Sequence, residues 1–314
     1  MLERWIFRNG ISGKQEKIEN VKKNYQLYIF ILPAFVFFLV FCYQPMYGVI
    51  IAWKDYNPLL GIWGSPWVGW TYFKQFFDSY FFWDLIKNTL GISVYSLLVG
   101  FPLPIILALA INELKDGSGK KFVQTITYAP NFISIVVIVG MLFSFLNPET
   151  GIINYALQSV GIKPISFMEN PAWFKTTYVL SNVWQTTGWS SVIYIAALSG
   201  VDSQLHEAAI IDGASRLQRI WYINLPTITP TIIILLIMSL GGLLNVGFEK
   251  IILMQNALNM SSSDVISTFV YRVGLLNGQY SFSAAVGVFN SIINAIILVS
   301  ANAITRKFSD NSLW

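Results

Sequence analysis

The sequence predicts an all-α integral membrane protein with six transmembrane helices, both termini in the cytoplasm, and a charged cytoplasmic loop between the fourth and fifth helices. Three observations lead there. The 314 residues are 54% hydrophobic and only 11% charged, with a mean hydropathy of +0.56, whereas a soluble domain carries about 25% charged residues. Six runs reach the roughly 20 apolar residues that a helix needs to cross a bilayer. Lys and Arg are shared unequally between the segments that join those runs.

Residues 1–27 form a basic tail with Arg4, Arg8, Lys14, Lys17, Lys22 and Lys23. The membrane domain is expected over 28–306, and a short tail over 307–314. The first span, 28–53, is longer than the apolar core of a signal peptide, and its YQPMYG is too bulky for a cleavage site, so it is expected to stay in the membrane. The aromatic stretch GIWGSPWVGWTYFKQFF (61–77) fits a belt of rings at the membrane interface, or a surface for an external partner. The second span, 88–112, carries Pro102 and Pro104. In a bundle, neighbours can satisfy the backbone groups a proline frees, so a kink is expected rather than a break.

Lys115, Lys120 and Lys121 fill the turn before the third span, 122–146. The fourth span is 176–199. The fifth, 228–248, includes IIILLIMSLGGLLNVGF, which has no charge, and the sixth is 282–304. The tail, the 113–121 turn, the loop after span four (Arg216, Arg219) and the C-terminal end (Arg306, Lys307) hold thirteen of the twenty basic residues. The remaining seven are scattered over longer segments, so the positive-inside rule puts both termini in the cytoplasm. One cysteine, Cys42, excludes an intrachain disulfide, and one histidine, His206, leaves no His cluster for a metal.

The charged loop, about 202–226, contains HEAAIIDGASRLQRIWYINLP. Glu207 to Ile211 has helical composition, Gly213 can hinge, and a second helical stretch from Ser215 is expected to end at Leu225-Pro226.

Within that loop stands EAA, three residues, Gly, nine residues, then I-x-L-P: Glu207-Ala208-Ala209, Gly213 and Ile223-Asn224-Leu225-Pro226. In this motif the chain resembles the permease subunits of ABC importers. YQPMYGVIIAWKDYNPLL, YAPNFIS, NVGFEKIILMQN and SDVISTFVYRVGL further resemble the carbohydrate-uptake branch, closest to the subfamily that imports oligosaccharides cut from polysaccharides. The larger maltose-type member of that branch has extra N-terminal spans and a large external domain, and neither is expected here, so its external contacts are not carried over.

The resemblance implies that Glu207, Ala208, Ala209, Asp212 and Gly213 form a coupling helix seated in a cleft of a separate ATPase. It implies a second, homologous permease, two ATPase copies, an extracytoplasmic solute-binding protein, and a place in a bacterial cell membrane. No nucleic acid is implicated. No cofactor is expected on this chain, and ATP and Mg belong to the ATPase. Accordingly, DGSGKKF (116–122) and GISGKQE (10–16) both fail the G-x-x-x-x-G-K-[ST] pattern of a phosphate-binding loop, so the chain is not expected to be an enzyme.

A sugar path needs hydrogen-bonding side chains inside the bundle, where polar groups are costly unless satisfied. The candidates are Asn182, Trp184 and Gln185 in span four, Asn245 and Glu249 at the end of span five, and Asn290 and Asn294 in span six. Asn182 with Gln185, and Asn290 with Asn294, share helical faces. The same groups could instead hydrogen-bond helix to helix. Two other classes are weaker. An ion-driven secondary transporter needs an ionisable group at mid-membrane, and a polytopic glycosyltransferase or acyltransferase needs clustered acids. Asp55, Asp78, Asp84, Glu149 and Glu169 are scattered.

Overall fold

A computed structural model describes residues 24–308. The basic residues Arg4 to Lys23 and the 309–314 end lie outside the described residues. Within them the chain is helical, and one isolated bridge, Lys54 with Trp67, is the only extended pairing.

Helix α1 runs Tyr25–Trp53. Its 25–43 part buries no residue, whereas its Gln44–Trp53 end packs along the last helix of the chain, where Ala52 is buried against Phe73 and Ala285. It widens to a π-helix over Phe38–Tyr43, immediately before Gln44-Pro45. Proline lacks a donor and pushes on the carbonyl four residues back, and a π-turn absorbs both defects.

Helix α2, Phe82–Asn112, passes Pro102 and Pro104 through a helical Phe101, the expected kink without a break. The third predicted span is not one rod. Helices α3 (Ser118–Phe132) and α4 (Ile135–Phe145) meet at 99°. Pro130 ends the first, and Ser134 starts the second by accepting a hydrogen bond from the Val137 amide. Helix α5, Pro171–Leu198, has 28 residues, about 42 Å at 1.5 Å per residue. Among the described residues, four helices are both long and apolar enough to span a membrane, and α3–α4 adds a fifth as a bent pair. Helix α5 is long enough but too polar to join them.

Helix α6 is Ser203–Ile211 and α7 is Arg216–Gly241. Contrary to expectation, Leu225-Pro226 does not stop α7. A π-turn over Ile220–Asn224 precedes Pro226 and lets the helix continue. The fifth span also ends early, at Gly241-Gly242, and the chain is non-helical until α8, Phe248–Met254.

The stretch between spans five and six is not an open loop. It folds into α8, Met260–Ser263 and α9, Ile266–Leu276. Asn88 of α2 donates to the carbonyls of Ser261 (2.9 Å) and Asp264 (3.1 Å), and Thr89 accepts from the Ile266 amide (3.0 Å). Asp264 accepts from Thr268 (2.9 Å) and is paired bidentately by Arg272. Asp264→Asn is expected to destabilise the fold by about 2 kcal/mol, because one charge-assisted arm is lost at a buried acid while Arg272 stays partly solvated. Thermal unfolding of the detergent-solubilised protein checks this. Helix α10, Tyr280–Phe308, closes the bundle.

Helix α5 is the axis of the core. Near its start, Phe174, Tyr178, Val179 and Val183 pack with Ile92, Val139, Ile251 and Met254. Near its end, Tyr194 and Leu198 pack with Ala108 and Ile228. Gly188 lies between, so close to α3 that an added methyl would overlap the Thr127 carbonyl.

Candidate functional site

Between those two apolar clusters lies a cavity of about 440 Å³. On α5 its wall is Tyr178, Asn182, Thr186, Ser190 and Tyr194, each four residues from the last, so they fall on one slowly turning face. Ser93 and Ser96 of α2, Ser239 of α7 and Asn245 complete the hydrogen-bonding lining. Among the described residues, no carboxylate, Lys or Arg borders this chamber. A surface of hydroxyls and amides, with two tyrosine rings, suits a polyhydroxylated solute: hydroxyls exchange donors and acceptors, and rings cover C–H faces.

An adjoining cavity of about 550 Å³ shares Tyr178, Asn182 and Gly247 with the first. Its other walls include Gln185, Glu249 and Lys250. The Gly247 amide donates to the Tyr178 hydroxyl (3.0 Å), so the unwound end of α7 is tied to α5 where the cavities meet. Burial without a counter-charge pulls the Lys250 ammonium, on α8 beyond the end of α7, down to about 8, which leaves it mostly protonated at neutral pH.

Asn182 lines both cavities, and Asn245 and Glu249 line one each. Gln185 reaches the second cavity but also donates to the Ile133 carbonyl (3.2 Å), a group freed by the α3–α4 bend. Trp184 lies apart, in an apolar groove with Ile138, Leu142 and Trp173. It stands two positions beyond Asn182, about 200° around the helix, which turns it away from the cavity. Asn290 and Asn294 do share a face, and both donate to the side-chain Oδ1 of Asn245 (3.1 and 3.2 Å), while Asn294 accepts from the Leu244 amide (3.0 Å). They lace α10 to the frayed end of α7, supporting the wall without lining it. Ser93, Ser96, Tyr178, Thr186, Ser190, Tyr194 and Ser239 escaped sequence reading. The four-residue spacing on α5 is the signal that could have found Tyr178, Thr186, Ser190 and Tyr194.

At the other end of α5, residues 199–202 lead into α6. Asp202 caps α6 by accepting from the Gln204 amide (2.9 Å). Its far end closes when the Ala214 amide reaches the Ala209 carbonyl (2.8 Å) and the Gly213 amide that of Ile210 (3.0 Å). That closure needs a left-handed residue, and Gly213 supplies it at φ +79°. Ser215 and Gln218 then form a reciprocal capping box that starts α7. Glu207, Ala208, Asp212 and Gly213 are exposed and Ala209 is half-buried. Beside them Leu205, Ile210 and Ile211 are also exposed, Ile211 to 86%.

Residues 100–310 match the family described as binding-protein-dependent transport system inner membrane component. The chain belongs to that family. This permease is 44% identical to Protein LplB of Bacillus subtilis over 94% of its own length and 92% of that protein's. It is 42% identical to the polygalacturonan/rhamnogalacturonan transport system permease protein YteP of the same organism, over 98% and 97%. It is also similar to a chain in the crystal structure of a bacterial alginate ABC transporter in complex with an alginate pentasaccharide-bound periplasmic protein. There the TM-score is 0.86 at 41% identity, covering 94% of the permease and 99% of that chain.

Proposed function

We propose that the chain is the membrane-spanning permease of an ATP-driven, binding-protein-dependent importer of oligosaccharides, and that it moves sugar by alternating access. The observation that carries this reading is the cavity walled by hydroxyls, amides and tyrosines along α5, with apolar packing above and below it. Such a wall can wet a sugar from either side when one apolar seal opens. The relatives' names support the solute class, since one is a transport protein for polygalacturonan and rhamnogalacturonan and a similar structure belongs to an alginate importer.

In this reading the chain crosses a bacterial cell membrane six times, through α1, α2, the bent α3–α4 pair, α5, α7 and α10, with both ends in the cytoplasm. Helix α6 then lies on the cytoplasmic face, and its exposed Glu207, Ile210 and Ile211 meet an ATPase. An exposed apolar group beside an acid suits a protein cleft better than water. A second permease mirrors this one, and two ATPase copies hold ATP and Mg. A solute-binding protein delivers sugar from outside. ATP-driven closure of the ATPase pair brings the coupling helices together and opens the cavity outward, and hydrolysis returns it inward.

Reconstitution tests this. Vesicles holding the chain, its partner permease and the ATPase are expected to accumulate oligosaccharide only with ATP and binding protein. Sugar flux through this chain alone would overturn the reading. A cysteine at position 213, in a Cys42→Ala background, is expected to label only from the ATPase side.

A further inference from the structure

Among the described residues, two basic side chains are buried, Lys54 and Lys250, and they are treated very differently. Lys54 donates to the carbonyls of Ile62 (2.7 Å), Ser65 (3.2 Å) and Trp63 (3.4 Å). Lys250 is 3% exposed and its Nζ meets no hydrogen-bond acceptor. The nearest compensation is the Tyr178 ring, whose centre is 5.8 Å away. An ammonium held out of water without an anion is expensive, and a methionine of similar shape would cost the fold less. A site that keeps the charge is therefore keeping it for something that arrives.

Glu249 does not serve as that anion. Consecutive residues on a helix do not face each other, and the two form no ion pair although both border the same cavity. The cavity thus offers one buried donor cation beside the amides of Asn182 and Gln185 and the Tyr178 ring.

We propose that Lys250 is a specificity-determining residue that receives the carboxylate of an acidic sugar unit as it passes between the two cavities. The inference rests on the oligosaccharide-import reading and narrows it to uronate-containing chains. A charge-assisted N–H to carboxylate hydrogen bond supplies the missing acceptor. Neighbouring amides take the ring hydroxyls, and the uncharged chamber beyond holds the residue no more tightly than its hydroxyls allow, so it can leave.

The test uses the reconstituted transporter without binding protein, so that the latter's own selectivity does not enter. Binding of a galacturonate trisaccharide is compared with binding of its methyl-esterified, uncharged counterpart in wild type, Lys250→Met and Lys250→Arg. Wild type is expected to prefer the charged form at least tenfold. Lys250→Met is expected to lose that preference while binding the ester as before, and Lys250→Arg to keep most of it. Equal binding of both sugars by wild type would overturn the proposal, as would a Met variant that retains the preference or loses both ligands alike. Failure of wild type to bind either sugar would instead count against the oligosaccharide reading itself.

Discussion

Gly188→Ala is expected to destabilise the protein by about 3 kcal/mol or more, an effect usually reserved for deep core truncations. The obstacle is backbone: a methyl there would occupy the space of the Thr127 carbonyl and press on the Tyr128 amide. A flexible side chain could swing away, but two helix axes must separate to admit this one. Helix α5 would lift from α3, and the wall carried by Thr186 and Ser190, on the turns flanking Gly188, would lift with it. Gly140→Ala provides the control, since nothing lies within 4 Å of a methyl at that position in α4. Alanine there gains up to about 1 kcal/mol of helix propensity. Unfolding temperature and monodispersity in detergent separate the two variants. A Gly188→Ala protein as stable as wild type would mean that the α3–α5 crossing is looser than described.

Glu207→Ala is expected to uncouple transport while leaving the membrane domain intact. Glu207 is exposed on α6 and supports no internal packing, so the variant should insert and unfold as wild type does. Seated against a basic group of an ATPase, the same carboxylate would be desolvated, and truncating one member of such a pair costs about 2 kcal/mol or more. That corresponds to roughly 30-fold weaker association. Co-purification of the ATPase and ATP-driven uptake are the measurements. Undiminished uptake would remove Glu207 from the interface.

Long apolar runs and a fixed-spacing motif survive any packing, which is why α1, α2, α10 and the Glu207–Gly213 turn were legible from sequence. Pro226 misled because its cost depends on the turn before it, and the π-turn at Ile220–Asn224 exists only in three dimensions. In sequence Gly241-Gly242 permits either close packing or a bend; a methyl on Gly241 would crowd Leu298, and the helix ends at Gly242. Asn290 and Asn294 were recognisably polar and on one face, yet whether an amide lines a path or ties two helices depends on what stands opposite, here Asn245. Glu249-Lys250 at the end of an apolar run reads equally as a pair with neighbours, a helix anchor or a substrate contact, and only the folded neighbourhood of Tyr178 and Gly247 reveals that Lys250 is enclosed.

Helix α5 contains no interior proline and runs unbroken from Pro171 to Leu198, with four residues joining it to α6. A rod of that kind has no joint in which to dissipate a push. A push delivered to α6 would pass through the short 199–202 link into an unjointed rod, and Asn182 and Tyr178, roughly five turns along it, would move with its near end.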